Sequence, residues 1–271
     1  MESKSLPTAV SAPEGIDSRD FVIISVPKMG KGTILGALTQ DNDDALVFDL
    51  ERGGYEYIPA RKISIYGEGD GLEQAYYNYI EYRDMLLKEK GRYKILIIDT
   101  TSELDRLSEL GGTLYYMYNL TMGKNFNRDP KTREAYSISD PNFKMVTTLP
   151  DGAGYAHTRK WFMDQVEIFA QIAPYRIYAA HITDKYIKDN QKEEVIGAEI
   201  ALTGQLKRIF ASRVTSLAKL VAEDNKRYLN FEVANDSVLA GSRNPRLKGK
   251  ILISEEVDGE IKTYWENIYK K

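Results

Sequence analysis

Apolar residues in this chain fall into short, almost unbroken runs, separated by longer stretches in which they recur every three or four positions. FVIIS at 21–25, ALVFD at 45–49, ILIID at 95–99 and IYAA at 177–180 are runs of the first kind. A run that is apolar on both faces leaves no side for water, so each predicts a strand buried in a parallel sheet. KISIY at 62–66 predicts one more. Helical spacing fills the intervals at 33–40, 72–90, 101–110, 156–173 and 204–213, with Gly91 as a stop for the second. Further on, SLAKLV, RYLNFEV, KILI and IKTYW alternate and predict antiparallel hairpins. Strands alternating with helices imply an α/β fold of three layers, a mostly parallel sheet covered on both faces, with the hairpins added at one edge.

The pattern also divides the chain. Residues 1–19 hold Ser, Pro and Gly with little periodicity and predict a flexible arm. Residues 20–250 form the core, and 251–271 a C-terminal β-hairpin extension. Within the core, 111–155 breaks the rhythm with Gly, Pro, Asn and Tyr and predicts a long inserted loop.

Composition narrows the chemistry. Of 271 residues none is cysteine, which excludes disulfides, thiolate metal sites and a cysteine nucleophile. The apolar runs are too short to span a bilayer and no secretory leader opens the sequence, so a cytoplasmic protein without a membrane partner is expected. Net charge is −3, yet residues 205–250 hold ten Lys/Arg against four acids. That excess suits either a phosphate-facing surface or a solvated charged face.

The first buried run leads into SVPKMGKGT, Ser25 to Thr33. A phosphate loop has the pattern G-x-x-x-x-G-K-[ST] between a strand and a helix. Gly30 and Lys31 match it; Ser25 replaces the first glycine and Gly32 the hydroxyl residue. Backbone N–H groups of Pro27-flanked Lys28, Met29, Gly30, Lys31, Gly32 and Thr33, at a helix N-terminus, suit triphosphate oxygens. Lys31 supplies the cation. Gly32 has no side chain for magnesium, which leaves Thr33 for that role.

Three further strand ends carry polar chemistry. Asp99 closes LIID as a ligand of magnesium-bound water would, and it also fits as a helix N-cap. Asp49 and Glu51 close FDLE; they share a side by alternation, and the later one lies nearer the phosphates. Glu51 is therefore the candidate base for an attacking water. His181 closes YAAH and suits a γ-phosphate contact; His157, in GYAHTRK, reads as structural.

In this order the P-loop, FDLE, LIIDT, GAGY, AAHITDK, LTGQLKRIF and GSRNPRL resemble the phage RecA-core ATPases of the Sak type, which are similar to the RecA and RadA recombinases. The resemblance spans about 20–250. It implies a RecA-like fold, ATP and Mg2+ as cofactors, a homo-oligomer, and action on single-stranded DNA in phage recombination or replication. A single-strand-binding protein is a possible partner. It places Lys31 and Thr33 in the phosphate loop, Asp99 in the second Walker motif, Glu51 as catalytic glutamate and His181 as sensor. Arg243 falls near a neighbouring subunit's nucleotide. In such proteins the loops 111–155 and 183–204 face DNA. The first interleaves Tyr115, Tyr116, Tyr118, Phe126, Tyr136 and Phe143 with Lys124, Arg128, Lys131, Arg133 and Lys144, a mixture that suits stacked bases and phosphates. The second is nearly balanced in charge. Two other readings stand beside an ATPase: a nucleotide-binding assembly protein with little hydrolysis, because of the two P-loop departures, and an adenylate-kinase-like phosphotransferase, because of GKGT.

Overall fold

The structure is a computed structural model that describes residues 19–189, 192–232 and 240–269. The strands are β1 (Asp20–Ser25), β2 (Ala45–Asp49), β3 (Lys62–Ser64), β4 (Ile95–Asp99), β5 (Tyr175–Asp189), β6 (Lys192–Ile200), β7 (Ser216–Glu223), β8 (Lys226–Asn230), β9 (Gly241–Ser242), β10 (Lys250–Val257) and β11 (Glu260–Thr263). The helices are α1 (Lys31–Asp41), α2 (Leu72–Lys88), α3 (Thr101–Asn119), α4 (Gly154–Ile172) and α5 (Leu206–Arg213). One sheet runs in the order β11-β10-β8-β7-β1-β5-β4-β2-β3. From β7 to β3 its strands are parallel; β8, β10 and β11 extend it in antiparallel fashion. The expected α/β architecture, with hairpins at one edge, is present.

Alternation along the central strands decides which side chains meet. Even-numbered residues (Val22, Ile24, Phe48, Ile98, Tyr178) pack against the layer containing Tyr79, Leu107, Phe162 and Phe210 from α2 to α5. Odd-numbered residues (Phe21, Ile23, Val47, Ile97, Ile177) pack on Ile34, Leu35 and Leu38 of α1 and on Ile253, Trp265 and Ile268 from the C-terminal segment. Each side chain of this size fully withdrawn from water contributes about 2 kcal/mol, so the two faces together fix the strand register. Trp265 adds a polar tie, donating through Nε1 to the Ile34 carbonyl at 2.9 Å.

The numbering has a consequence at the carboxyl edge. Ser25 pairs in register with His181, and Asp49 with Asp99. All four occupy odd positions, so they emerge on the α1 side of the sheet.

Parts of two expected loops are regular structure, although 120–153 holds only three short 3-10 turns. Helix α3 does not stop near Leu110 but runs nine residues further, to Asn119. Gly111 and Gly112 are points of contact within it, not a terminus. A Cβ on Gly111 would lie 2.2 Å from the Trp161 ring, and one on Gly112 would lie 2.9 Å from the Thr158 backbone. The glycines let α3 and α4 cross at backbone contact. Likewise, β5 continues through the expected loop after His181 and turns back as β6, an antiparallel hairpin pairing Ile182 with Ile200. Among the described residues no helix is long and apolar enough to cross a membrane.

Candidate functional site

Helix α1 begins on Gly30, whose φ of 85° places it in the left-handed region that glycine tolerates best. The helix has no side-chain cap and no acid in its first turn, so its first amide N–H groups keep their affinity for an anion. Lys31 opens the helix and turns inward, 8% exposed. Its Nζ lies 3.5 Å from Asp99 Oδ1, an ion pair too long for a hydrogen bond. Asp99 Oδ2 accepts a hydrogen bond of 2.7 Å from the Tyr55 hydroxyl. Burial raises the Asp99 pKa, and the Lys31 charge works against that rise. Burial, followed by the Asp99 charge, drives the Tyr55 pKa well up and keeps the phenol a donor.

The N-cap alternative for Asp99 fails, because that role belongs to Thr100, whose hydroxyl accepts from the Glu103 amide. This leaves the Asp99 carboxylate free for the α1 side.

Glu51 stands beyond β2, where the chain turns toward the site. Its Oε1 lies 2.8 Å from His181 Nε2 and accepts from the Thr100 hydroxyl at 3.2 Å. The His181 hydrogen bond is the main cause that holds the Glu51 pKa below its ordinary value; burial opposes it, and Lys31 adds to the lowering. Asp49 is engaged differently. It accepts from the Ser64 hydroxyl at 2.8 Å and from the Glu51 amide at 3.2 Å, so it shapes the turn that carries Glu51. Burial pushes its pKa up to about 6.

Four buried polar atoms converge here without a hydrogen-bond partner: Ser25 Oγ, Lys31 Nζ, Asp99 Oδ1 and His181 Nδ1. Natural interiors rarely leave such groups unsatisfied, and a site built for a polar ligand is one place where they do. A cation, two carboxylates, a histidine and free helix amides fit a magnesium–nucleotide well.

Not every expected residue joins this group. Lys28 is exposed and has φ of 65°; Pro27 is exposed and Met29 half-buried. Thr33 lies two residues past Lys31, about 200° around α1, on a helix that advances 3.6 residues per turn. It lines a groove with Ala37, Gln40 and Thr263, so the structure does not bring it to Asp99. Arg243 is placed at the opposite edge of the sheet. It follows β9, which pairs with Ser216 at the start of β7, and its guanidinium donates to the Ser212 carbonyl at 2.7 Å. Two of the basic residues after it are answered: Arg246 reaches the Ile268 carbonyl and Lys250 pairs with Glu223.

Sequence reasoning missed three neighbours of the site. Tyr55 and Thr100 supply hydroxyls to the two carboxylates. Arg227, on β8, donates through Nε to the Met29 carbonyl at 3.0 Å, and its guanidinium lies where a side chain on Gly30 would be. Thr100 was legible as a hydroxyl directly after the strand-end Asp99. Tyr55 and Arg227 carry no local signal.

The aromatic segment from Tyr115 to Phe143 is only partly a surface. Tyr116 is buried, edge-on to Phe126 and 4.9 Å from the His157 ring. Phe143 packs against the core. Tyr118 is 62% exposed, and Lys124, Lys131, Arg133 and Lys144 are also exposed. No protein-family model matches the chain, and no curated protein matches it.

Proposed function

We propose that this chain is a RecA-like P-loop ATPase, akin to the phage Sak-type proteins, that binds Mg2+–ATP at Lys31 and Asp99 and hydrolyses it. The observation that carries the reading is the 3.5 Å pair of Lys31 and Asp99 at the carboxyl edge of a parallel sheet, both buried and each with an unsatisfied polar atom. Ligands of such sheets bind beyond the carboxyl ends of the strands.

In this reading Lys31 leaves Asp99 for the phosphate oxygens and the α1 amides hold the same oxygens. Magnesium, when bound, offsets charge on the phosphates, and Asp99 orients its water shell. Glu51 takes a proton from the attacking water as the bond from the γ-phosphorus to the bridging oxygen breaks. His181 and Thr100 hold Glu51 in place, and the lowered Glu51 pKa keeps it ionised near neutral pH. Arg243, remote from its own site, serves the nucleotide of an adjacent subunit in a homo-oligomer. Single-stranded DNA meets the exposed Tyr118 and the cations Lys124, Lys131, Arg133 and Lys144.

Turnover of ATP, measured with and without single-stranded DNA and with and without AMP, tests the proposal. DNA-stimulated release of phosphate is the expected result. ATP bound without turnover would favour the assembly-protein reading, and AMP-dependent formation of ADP would favour a phosphotransferase.

A further inference from the structure

Gly32 occupies the place where a P-loop has a serine or threonine, and the surroundings of this glycine differ from those of an ordinary helix position. The segment between β2 and β3 lies directly against the first turns of α1. A Cβ on Gly32 would come 3.1 Å from Ile58 Cδ1 and 4.0 Å from Tyr55 Cζ, the carbon that bears the phenol oxygen. One turn on, a Cβ on Gly36 would come 2.7 Å from Ile58 Cγ2 and 2.9 Å from the Pro59 carbonyl. Gly32 and Gly36 thus form a smooth strip over which residues 54–59 close. Lys62 reinforces that closure, donating from Nζ to the Tyr55 carbonyl at 2.9 Å.

The closure brings one polar atom into the site. Tyr55 is 2% exposed, and its hydroxyl reaches Asp99 Oδ2 at 2.7 Å. Because Cζ is in van der Waals range of the absent Gly32 Cβ, the phenol hydroxyl occupies the neighbourhood that a residue-32 hydroxyl would fill.

We infer that Tyr55 supplies, from the β2–β3 connection, the hydroxyl that Gly32 lacks, and so acts as the positioning residue that orients Asp99 toward the metal–nucleotide. The inference rests on the nucleotide-binding reading of Lys31 and Asp99. One of the two P-loop departures then stops being an erosion: removing the side chain at position 32 makes room for the tyrosine that replaces its hydroxyl. Tyr55 remains a neutral donor to the carboxylate. It shares Asp99 with Lys31, and when Lys31 turns to phosphate the Tyr55 hydrogen bond keeps the carboxylate from rotating.

The test is the magnesium dependence of ATP affinity, measured by calorimetry with and without Mg2+ on the full chain. Wild type should bind ATP more tightly with Mg2+. Tyr55→Phe should lose about tenfold of that tightening while Mg2+-free affinity and melting temperature stay close to wild type. Gly32→Ser combined with Tyr55→Phe should regain it, because Ile58 meets the new Cβ with the flexible end of its side chain. Rescue from a different position is an effect that simple loosening of the fold would not produce. An unchanged magnesium effect in Tyr55→Phe, or loss without rescue in a folded double variant, would overturn the inference. A crystal structure of the wild type with Mg2+ and ADP gives a second measurement that needs no variant: a Tyr55 hydroxyl turned away from Asp99 would overturn it too. Failure of wild type to bind ATP under any condition would instead remove the underlying reading, and the inference with it.

Discussion

His181 Nε2 and Glu51 Oε1 lie 2.8 Å apart, although 130 residues separate them in the chain. The registers on either side of β4 account for the contact: Asp49, Asp99 and Ala179 lie level, and Glu51 and His181 each stand two residues beyond. Because this hydrogen bond is the chief cause of the low Glu51 pKa, His181→Ala should move that pKa upward, leaving Lys31 and Thr100 to oppose the effect of burial. Carboxylate NMR titration of Glu51 measures the shift directly. If Glu51 is the base, the acid limb of the pH–rate profile moves to higher pH in the same variant.

Lys31→Ala removes the buried ammonium that faces Asp99, and ATP affinity should fall about a hundredfold. Glu51→Gln keeps the shape of the side chain and should leave binding within about twofold while turnover disappears. Equilibrium binding and phosphate release on the same preparations separate the two effects. Normal turnover by Glu51→Gln would place the base elsewhere.

The two arginines should behave oppositely. Arg227 lies on the P-loop carbonyl of Met29 and against Gly30, so Arg227→Ala should weaken nucleotide binding, by about tenfold. Arg243 is at the far edge of the sheet, so Arg243→Ala should leave the affinity of a single chain unchanged. Mixed Arg243→Ala and Glu51→Gln chains should recover turnover in a co-assembled preparation. No recovery there would exclude an arginine acting between subunits.

Asp49 gives a stability prediction with a definite sign. Its folded pKa, about 6, lies above the ordinary 3.8, so the favourable contribution of the protonated form is present below pH 3.8 and is lost as pH rises through 6. Asp49→Asn can keep both hydrogen bonds, accepting from the Glu51 amide and donating to Ser64. Its advantage over wild type should therefore widen between pH 4 and pH 7, by up to about 3 kcal/mol at 1.4 kcal/mol per unit. Calorimetric melting of the two proteins across that range gives the answer.

Gly111→Ala should destabilise the protein by about 2 kcal/mol despite the better helix propensity of alanine, because the methyl group would meet the Trp161 ring at 2.2 Å. Denaturant unfolding measures it; a neutral or stabilising result would mean that α3 and α4 separate easily.

The strands were readable because burial on two faces leaves an uninterrupted apolar run. Their polar ends were readable strand by strand, but it is the sheet register that brings Ser25, Asp49, Asp99 and His181 to one side. Gly111 and Gly112 misled because a glycine pair looks the same whether it ends a helix or admits a neighbouring one, and only the partner, Trp161 fifty positions on, distinguishes the two cases. The β5–β6 hairpin was hidden by its polar sequence, which lacks the apolar alternation by which a half-buried strand is recognised. Tyr55 was hidden among nineteen tyrosines. Its role comes from a hydrogen bond to a residue 44 positions away, and nothing in its immediate sequence announces that bond.

The order of strands also constrains the chain during its synthesis. Among the described strands β1 is made first, yet its sheet partners are β5, about 155 residues later, and β7, about 195 residues later. Until both have left the ribosome, Phe21 to Ile24 form an apolar segment with two open hydrogen-bonding edges, the form of strand most prone to pairing with another chain. The nascent polypeptide therefore leaves β1 unpaired longer than any other described strand. Any fragment that ends before Ser216 keeps one of those edges bare.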